Sequence, residues 1–240
     1  MSMKQQTAKQ VYHGFKMPLL TVDSVLFTYH EKRLKILLVQ RSTEPQKGKW
    51  GLPGGIVDID IDGDIESTAL RKLVEKTSVE PPYLDQLETL GDQSRDPRGW
   101  SVTVCYTALI AYQSCAQHVN TVSDVRWVEI GEALKMKLAF DHHGLVLRAQ
   151  ERMRQRALYS ISSGYALPEV FTLTELQHLH ELLIGKPIQK KSFRRRIEQA
   201  KLLIDTGEKR QESGRPAMLY RMKEASKTHR FIRNLDASHA

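Results

Sequence analysis

Apolar runs in the first 150 residues alternate with polar breaks in a way that predicts a β-sheet. Two β-branched, apolar segments flank the short polar stretch 30–33, a pattern typical of a β-hairpin. Further strands are expected where apolar residues recur between Gly-, Pro- and Asp-rich loops. The predicted strands are 17–29, 34–41, 83–91, 100–112 and 125–130.

Two segments of the same region have helical spacing instead. Ile65, Ala69 and Leu73 recur on one side of 64–77, with Val74 at the margin of that side, and 140–159 predicts a long helix. Asp64 is expected at the start of the first helix, where the helix dipole favours a carboxylate. The preceding aspartates are expected to be solvated loop residues; they are Asp58, Asp60 and Asp62. The mixed order of strands and helices predicts an α/β (α+β) sandwich.

The pattern changes after Ser160. Thr172 and Glu175 have the spacing of a helix capping box, and leucines then form one apolar stripe. Gly185-Lys-Pro187 is expected to end that helix, and a second helix is predicted over 189–202. Two short strands should follow; they are 203–210 and 218–222. We therefore expect two domains, 1–160 and 161–240, and the turn between the last two helices is typical of a helix–turn–helix.

Charge separates the same two regions. The chain has a net charge of +8, yet residues 1–150 hold 18 basic and 18 acidic residues, so the whole excess lies in the last 90. Such asymmetry indicates a polyanionic partner for one region only. No apolar run approaches the ~20 residues that span a membrane, and no secretory signal is visible. The two cysteines lack CxxC spacing, so we expect reduced thiols in a cytoplasmic protein.

The second predicted helix of the C-terminal region opens with a basic run. Its candidate DNA contacts are Lys190, Lys191, Ser192, Arg194, Arg195 and Arg196, and those of the following hairpin are Arg210 and Arg215. A recognition helix places such side chains against phosphates and guanine edges of double-stranded DNA. A basic helical bundle that binds nothing is the plainer alternative. RNA is disfavoured because only Phe193 and Tyr220 could stack on bases.

The stretch 50–79 carries the candidate ligand chemistry of the first domain. Lys72, Glu75 and Lys76 share one face of the predicted helix, where a metal-dependent diphosphate site would need several carboxylates. Two ammonium groups repel a divalent cation but attract phosphate. We therefore expect no catalytic residue, no bound metal and no required cofactor. Other ligand-binding candidates are Arg41, Trp50, Arg95 and Arg98, although Trp50 could equally be a core residue.

Residues 17–150 resemble the Nudix hydrolase family. The loop WGLPGG at 50–55 precedes a helix in which Arg71, Leu73, Glu75 and Val79 match the family motif. The resemblance implies a nucleotide-diphosphate site that includes Gly54, Gly55, Arg71 and Glu75. Lys72 and Lys76 stand where the family has glutamates, Ser78 stands for a glycine, and the Gly-to-Arg segment is two residues longer.

The whole chain resembles the Nudix-related transcriptional regulators of NAD metabolism, the NrtR family. The likeness rests on the following motifs: WGLPGG at 50–55, the altered motif at 71–79, RDPRGW at 95–100, FTLTELQ at 171–177, KSFRR at 191–195 and GRPAMLYR at 214–221. The resemblance implies a Nudix-like sensor domain, folded as an α/β/α sandwich, joined to a winged helix–turn–helix. It also implies a bacterial, nucleoid-associated homodimer that represses NAD biosynthesis or salvage genes from a palindromic operator. Its expected releasing ligand is ADP-ribose or a related nucleotide or phosphoribosyl compound.

Two other classes of function stay open from the sequence. Glu75, with a carboxylate such as Asp92 or Asp96, could support an active ADP-ribose hydrolase with an accessory nucleic-acid-binding domain. A noncatalytic RNA-binding factor is the third possibility. Release of AMP in the presence of magnesium or manganese would identify the hydrolase. A comparison of binding to duplex DNA and to single-stranded RNA would identify the RNA-binding factor.

Overall fold

A computed structural model of the chain describes residues 11–12, 15–211, 216–232 and 234–235. The strands are β1 (Val11–Tyr12), β2 (Phe15–Lys16), β3 (Leu19–His30), β4 (Arg33–Arg41), β5 (Trp50–Gly51), β6 (Gly54–Ile56), β7 (Asp85–Asp92), β8 (Ser101–Ile110), β9 (Val122–Glu129), β10 (Phe171–Thr172), β11 (Leu203–Arg210) and β12 (Ala217–Met222). The helices are α1 (Ile65–Thr77), α2 (Ile130–Ala133), α3 (His142–Tyr159), α4 (Leu173–Ile184) and α5 (Lys190–Ala200). All the strands and helices that the sequence predicts are present, with ends that differ by a few residues.

A seven-stranded mixed sheet forms the centre of the N-terminal region. Its main path runs β5-β4-β3-β8-β7, with β6 also paired to β3 and β9 to β4. Strands β3 and β8 are parallel over ten residue pairs, while the remaining pairs are antiparallel. Strand β3 is therefore the central strand, with β4, β6 and β8 as neighbours.

Alternate residues of the central strands face two separate cores. Val22 and Leu26 of β3 pack with Ala69 and Leu73 of α1 on one face. Phe27 and its neighbours pack with α3 on the other face. This alternation follows from the period of two in a strand, and helices on both faces complete the predicted α/β/α sandwich.

Local sequence signals fix the ends of the first hairpin and the first helix. Glu31 and Lys32 have positive φ values of 53° and 60°, as a tight hairpin turn between twisted strands requires. Asp64 caps α1, because its carboxylate accepts a hydrogen bond from the Ser67 amide at 2.6 Å. The prediction for Asp62 was wrong: its side chain is buried against Arg71. Val74 is exposed and lies outside the apolar face of α1.

The C-terminal region has the predicted order of a winged helix. Thr172 and Glu175 form the capping box of α4: the Thr172 hydroxyl accepts from the Glu175 amide at 3.2 Å and the Glu175 carboxylate accepts from the Thr172 amide at 2.7 Å. Gly185 ends α4 in the left-handed conformation with φ 80°. Strands β10, β12 and β11 form a three-stranded antiparallel sheet beside α4. The fold prediction is thereby confirmed.

The two regions share one continuous core. Residues of α3 and α4 pack in the same apolar cluster as Phe27 of the central sheet and Phe193 of α5. The His180 ring is fully buried, and burial lowers its pKa to about 4, so it is neutral. Its Nδ1 donates to the Ala157 carbonyl at 3.2 Å and its Nε2 accepts from the Ser163 hydroxyl at 3.0 Å. No helix among the described residues is long and apolar enough to cross a membrane.

Candidate functional site

A cleft of about 570 Å³ opens between α1, β6, the end of β4 and the loop after β7. Six of the ligand-binding candidates line it, and Lys72 and Lys76 line it with them. The six are Arg41, Gly54, Gly55, Glu75, Arg95 and Arg98. Residues more than 50 positions apart are thus brought to one cavity by the pairing of β3 with β4, β6 and β8.

The two glycines of WGLPGG allow the close contacts of the cleft wall. A Cβ atom on Gly54 would lie 2.2 Å from the Val22 carbonyl oxygen and 2.5 Å from Asp23 Oδ1. A Cβ atom on Gly55 would lie 3.1 Å from the Lys72 side chain. Glycine at position 54 therefore lets β6 pair closely with β3, and glycine at position 55 lets the aliphatic part of the Lys72 side chain pass over β6.

Lys72, Glu75 and Lys76 form the helical wall of the cleft. Lys72 Nζ lies 3.6 Å from Glu75 Oε2, so this carboxylate already has a cationic neighbour. Lys76 Nζ donates to the Gly54 carbonyl. Burial, with the nearby charges of Arg41 and Lys72, lowers the pKa of Lys76 to about 8. At neutral pH this wall therefore presents two ammonium groups around one carboxylate.

Arg41 adds a third cation on the opposite side. Its Nε donates to the Pro45 carbonyl at 2.8 Å, and its guanidinium carbon lies 5.0 Å from the Phe140 ring centroid. Burial and the charge of Arg98 lower the pKa of Arg41 from its usual value, but an arginine stays protonated at physiological pH. Basic side chains of the cleft lining thus lie on both sides of the cavity, an arrangement suited to an anionic ligand.

A buried network of charged side chains forms the floor of the cleft. Asp23 Oδ2 accepts from the Thr103 hydroxyl at 2.8 Å and lies 3.6 Å from Arg95, and Asp23 Oδ1 lies 3.4 Å from His142 Nε2. Arg95 also makes two bonds to Asp141, at 3.0 and 3.1 Å. Burial alone would raise the pKa of Asp23, but His142, Thr103 and Arg95 together lower it.

Sequence reasoning missed Asp23, Asp141 and His142 as part of this site. The one available signal was Asp23 itself, an acidic residue inside the otherwise apolar segment 17–29. Its partners follow from the pairing of β3 with β8 and from the position of the α3 N-terminus. Neither of those can be read from local sequence spacing.

Arg95 and Arg98 of the predicted ligand loop have different surroundings. The Arg95 side chain is only 4% exposed and is held by carboxylates of the floor, whereas the Arg98 side chain is 40% exposed. Arg98 makes two bonds to Asp96, at 3.0 and 2.7 Å. Arg95 is thus part of the framework, and Arg98 is the more accessible cation at the rim.

Two ligand-binding candidates lie away from the cleft. Trp50 lines a separate surface groove of about 640 Å³, where the Arg126 guanidinium carbon lies 5.1 Å from its ring. Arg71 bonds Asp62 at 2.7 and 2.6 Å and Glu75 at 3.0 Å. Arg71 therefore ties the loop before α1 to the helix and orients Glu75 within the cleft wall.

The basic candidates of α5 divide between its two faces. Lys190, Lys191 and Arg195 are exposed, and Arg194 is half-buried with its guanidinium donating to the Thr174 hydroxyl at 3.2 Å. The expectation that Arg196 points outward was wrong, because Arg196 is buried and donates to the Asn234 carbonyl. Ser192 is buried as well, next to Phe193, since both lie on the side of α5 that packs against the core.

The two candidates of the hairpin have separate outcomes. Arg210, at the end of β11, forms an ion pair with Glu175 of the α4 capping box at 2.5 Å, so it holds the hairpin to the first helix of the helix–turn–helix. Arg215 lies outside the described residues. Strand β12 pairs with β10, which leads directly into α4.

Comparison with known proteins decides the family. The family model for the NUDIX domain matches residues 17–149, and the model for the NrtR DNA-binding winged helix domain matches residues 164–222. The ADPR responsive transcriptional repressor NtrR of Acinetobacter baylyi is 41% identical over 222 residues, which cover 92% of this chain and 89% of that protein. The chain belongs to the NrtR family.

Solved structures agree with this NrtR assignment. The crystal structure of Shewanella oneidensis NrtR complexed with a 27mer DNA has a TM-score of 0.82 and 61% identity, covering 90% of this chain and 98% of that one. The NUDIX domain of Shewanella oneidensis NrtR complexed with ADP ribose has a TM-score of 0.58 and 55% identity, covering 63% of this chain and 99% of that one.

The Nudix fold implies a divalent metal, but the cleft of this NrtR-family chain does not fit one. Glu75 has Lys72 and Arg71 as its ion-pair partners, and the ammonium of Lys76 lines the same wall. Within the described residues, no group of three or more His, Cys, Asp or Glu side chains could hold a metal ion. Magnesium favours several oxygen ligands, so this donor set is unsuitable for it.

Proposed function

We propose that this chain is an ADP-ribose-responsive transcriptional repressor of NAD biosynthesis or salvage genes. The observation that carries the proposal is the pair Lys72 and Lys76 around Glu75 in the cleft, on a chain whose α5 presents an exposed basic edge. A cationic diphosphate site without metal ligands suits a sensor, and the basic helix suits a DNA reader. The names of the Acinetobacter and Shewanella relatives support both assignments.

In this proposal the cleft binds the diphosphate through fixed cations. Lys72, Lys76 and Arg41 neutralise the phosphates, and Arg98 contacts the ligand from the rim. Gly54 and Gly55 let the ligand lie against the backbone, while Arg71, Glu75 and Arg95 hold the wall and the floor. Arg and Lys can provide this neutralisation as point charges and forked donors, so binding requires neither a metal nor another cofactor.

The DNA-binding part of the proposal rests on the exposed edge of α5. Helix α5 enters the major groove with the side chains of Lys190, Lys191 and Arg195, and with Arg194 beside them. The β11–β12 hairpin, with Arg215, contacts the sugar-phosphate backbone of the DNA. Two such helices in a homodimer read the half-sites of a palindromic operator, because the symmetry of the dimer matches that of the site. Phosphate contacts make the affinity depend steeply on salt.

Release of the operator follows from linkage. In this scheme the ligand binds better to a dimer whose two recognition helices are arranged in a way that does not match the operator. Ligand binding must then weaken DNA binding, and DNA binding must weaken ligand binding by the same factor. Residues 1–160 form the sensor domain and 161–240 the DNA-binding domain in this scheme, with α3 inside the first. The protein acts in the bacterial cytoplasm, associated with the nucleoid.

The test is a titration of ADP-ribose into a complex of the purified protein with its operator, followed by fluorescence anisotropy. We expect the anisotropy to fall as the DNA is released, in buffer that contains a chelator. An unchanged anisotropy at millimolar ADP-ribose would reject this effector. AMP, ribose 5-phosphate and NAD serve as controls for the part of the ligand that is recognised.

An active ADP-ribose hydrolase is the second candidate, because Glu75 lines the cleft together with Asp96. Its signature is AMP formation that depends on magnesium or manganese. The sensor proposal expects no metal-stimulated AMP formation above the rate without protein.

A further inference from the structure

The last described residues form a bridge between α3 of the sensor domain and the recognition helix α5. The Phe231 amide donates to the Tyr159 carbonyl at 2.8 Å, and the Leu235 amide donates to the Leu158 carbonyl at 2.7 Å. Both carbonyls belong to the last turn of α3, which has no helical partner for its terminal acceptors. Residues 229–232 and 234–235, here called the strap, therefore cap the C-terminus of α3.

The same strap is attached to α5 through its buried face. The Arg196 guanidinium donates to the Asn234 carbonyl, and Arg196 is only 9% exposed. The Leu235 side chain is 1% exposed and belongs to the core cluster that also contains Ile197 of α5. A buried arginine needs such acceptors, because an unpaired charge in the core costs several kcal/mol. The strap is thus joined to α5 by a polar contact, and its Leu235 side chain is buried in the same apolar core as the inner face of α5.

The opposite end of α3 reaches the floor of the ligand cleft. His142, the first residue of α3, accepts from the Leu52 amide at 2.9 Å and lies 3.4 Å from Asp23. The preceding residue, Asp141, holds Arg95 of the same floor. An 18-residue helix is ~27 Å long, and α3 is packed in the core along its length. A displacement of its N-terminus therefore moves the carbonyls that hold the strap.

We propose that Arg196 is a positioning residue that fastens α5 to α3 through the strap, so that ligand binding at the cleft reorients the recognition helix. The proposal rests on the function proposed above. Arg196 does not contact DNA in this account; its neighbour Arg195, exposed on the other face of α5, does. Two adjacent arginines of one helix thus have separate tasks, Arg195 for affinity and Arg196 for the response to ligand.

Contacts of α4 with α3 and β3 are a second connection between the domains, and they differ from the strap in the helix that they hold. Contacts such as His180 to Ala157 and Tyr29 to His178, with 2.8 Å between the Tyr29 hydroxyl and His178 Nδ1, hold α4 to the sensor domain. The strap contacts α5 itself. Loss of the strap should therefore leave the domains attached and impair the response of the reading helix.

The experiment compares Arg196→Met with Arg195→Met in the full chain. Operator Kd is measured by anisotropy with and without saturating ADP-ribose, and the ratio of the two values is the coupling. Couplings of this kind are typically ~5–150-fold. We expect Arg195→Met to weaken operator binding with an unchanged ratio. We expect Arg196→Met to reduce the ratio at least threefold, while calorimetry shows ADP-ribose binding to the DNA-free protein at wild-type affinity.

A second variant covers the case in which Arg196→Met fails to fold. Leu235→Asp removes the apolar anchor of the strap and should lower the coupling ratio in the same way, and Arg196→Lys, which retains a donor, should restore part of it. A wild-type coupling ratio in a folded Arg196→Met or Leu235→Asp protein would overturn the inference. Absence of any ADP-ribose effect in the wild type would instead overturn the proposed function.

Discussion

The ligand cleft and helix α5 both contain basic side chains, but these have opposite surroundings in the two places. In the cleft, Arg95 is buried and paired with Asp141 and Asp23, so its charge organises the floor. On α5, Lys191 and Arg195 are exposed to solvent. The surroundings therefore decide whether a cation holds a site together or is accessible to a partner. Net charge indicates which region is suited to bind DNA, but only the contacts identify the framework.

The largest effect is expected where a buried framework cation is removed. Arg95→Met leaves Asp141 and Asp23 without their guanidinium partner, and breaking a buried pair costs ~3–5 kcal/mol. The free energy of unfolding from urea denaturation should fall by that amount, and ADP-ribose binding should weaken with it. Arg126→Met is the control: its pair with Asp124 is exposed, so the loss should stay below ~1 kcal/mol. Equal losses would contradict the division into framework and surface cations.

Removal of an exposed cation of α5 should affect DNA binding alone. Arg195→Ala is expected to weaken operator binding by ~1–3 kcal/mol, the usual cost of one lost base contact. ADP-ribose affinity and the unfolding free energy should stay at wild-type values, because the side chain lies outside both cores. Anisotropy titrations at several salt concentrations check the result. A parallel loss of ligand binding in a folded variant would count against separate roles for the two regions.

The affinity of the cleft for ADP-ribose should depend on pH, because one of its cations, Lys76, has a lowered pKa. Burial lowers the pKa of Lys76 to about 8 in the free protein, and a bound diphosphate would raise it. ADP-ribose affinity should therefore be constant below about pH 8 and decrease above it as the free protein loses the ammonium charge. Lys76→Met should bind ~10-fold more weakly at pH 7, about 1.4 kcal/mol, without this pH dependence.

Lys76→Arg is the matched control for that measurement, since an arginine keeps its charge across the range and should bind without a decrease above pH 8. The lysine also has a cost for stability. Because its pKa is lower in the folded than in the unfolded chain, the unfolded state binds more protons, and stability should rise with pH above about 8. Calorimetric titrations at pH 7, 8 and 9 measure the ADP-ribose affinity, and urea denaturation at the same pH values measures the free energy of unfolding.

The smallest effect is expected at the start of α4. Thr172→Ala removes the hydroxyl that accepts from the Glu175 amide and should cost ~1 kcal/mol of unfolding free energy. Thr172→Ser keeps the hydroxyl and should cost much less. Thermal denaturation of the three proteins tests this order. A serine variant as unstable as the alanine variant would show that the cap does not stabilise the helix.

The sequence predicted the fold well because its signals are local. The capping box at Thr172, the glycine at 185 and the period-two strands each follow from contacts within a few residues. The face of α1 was likewise predictable, since Lys72, Glu75 and Lys76 line the cleft as their spacing indicated.

The errors came from contacts that are distant in sequence. Arg196 and Ser192 were expected on the DNA side, but burial of Phe193 and Ile197 turns them inward. Asp62 was expected in solvent, but Arg71 lies nine positions later on the facing helix. The floor network of Asp23 and His142 joins residues 119 positions apart, a contact created only by the sheet and by α3. Helical periodicity alone does not show which strap or loop covers a polar face.

The central claim is that the cleft senses ADP-ribose through fixed cations and passes that signal to the DNA-reading helix. The most direct measurement is simultaneous: operator anisotropy and AMP formation in one titration of ADP-ribose, repeated with chelator and with magnesium. The account predicts release of the operator to the same extent in both buffers, with no AMP formed above the protein-free rate. Magnesium-dependent AMP formation with the operator still bound would contradict it.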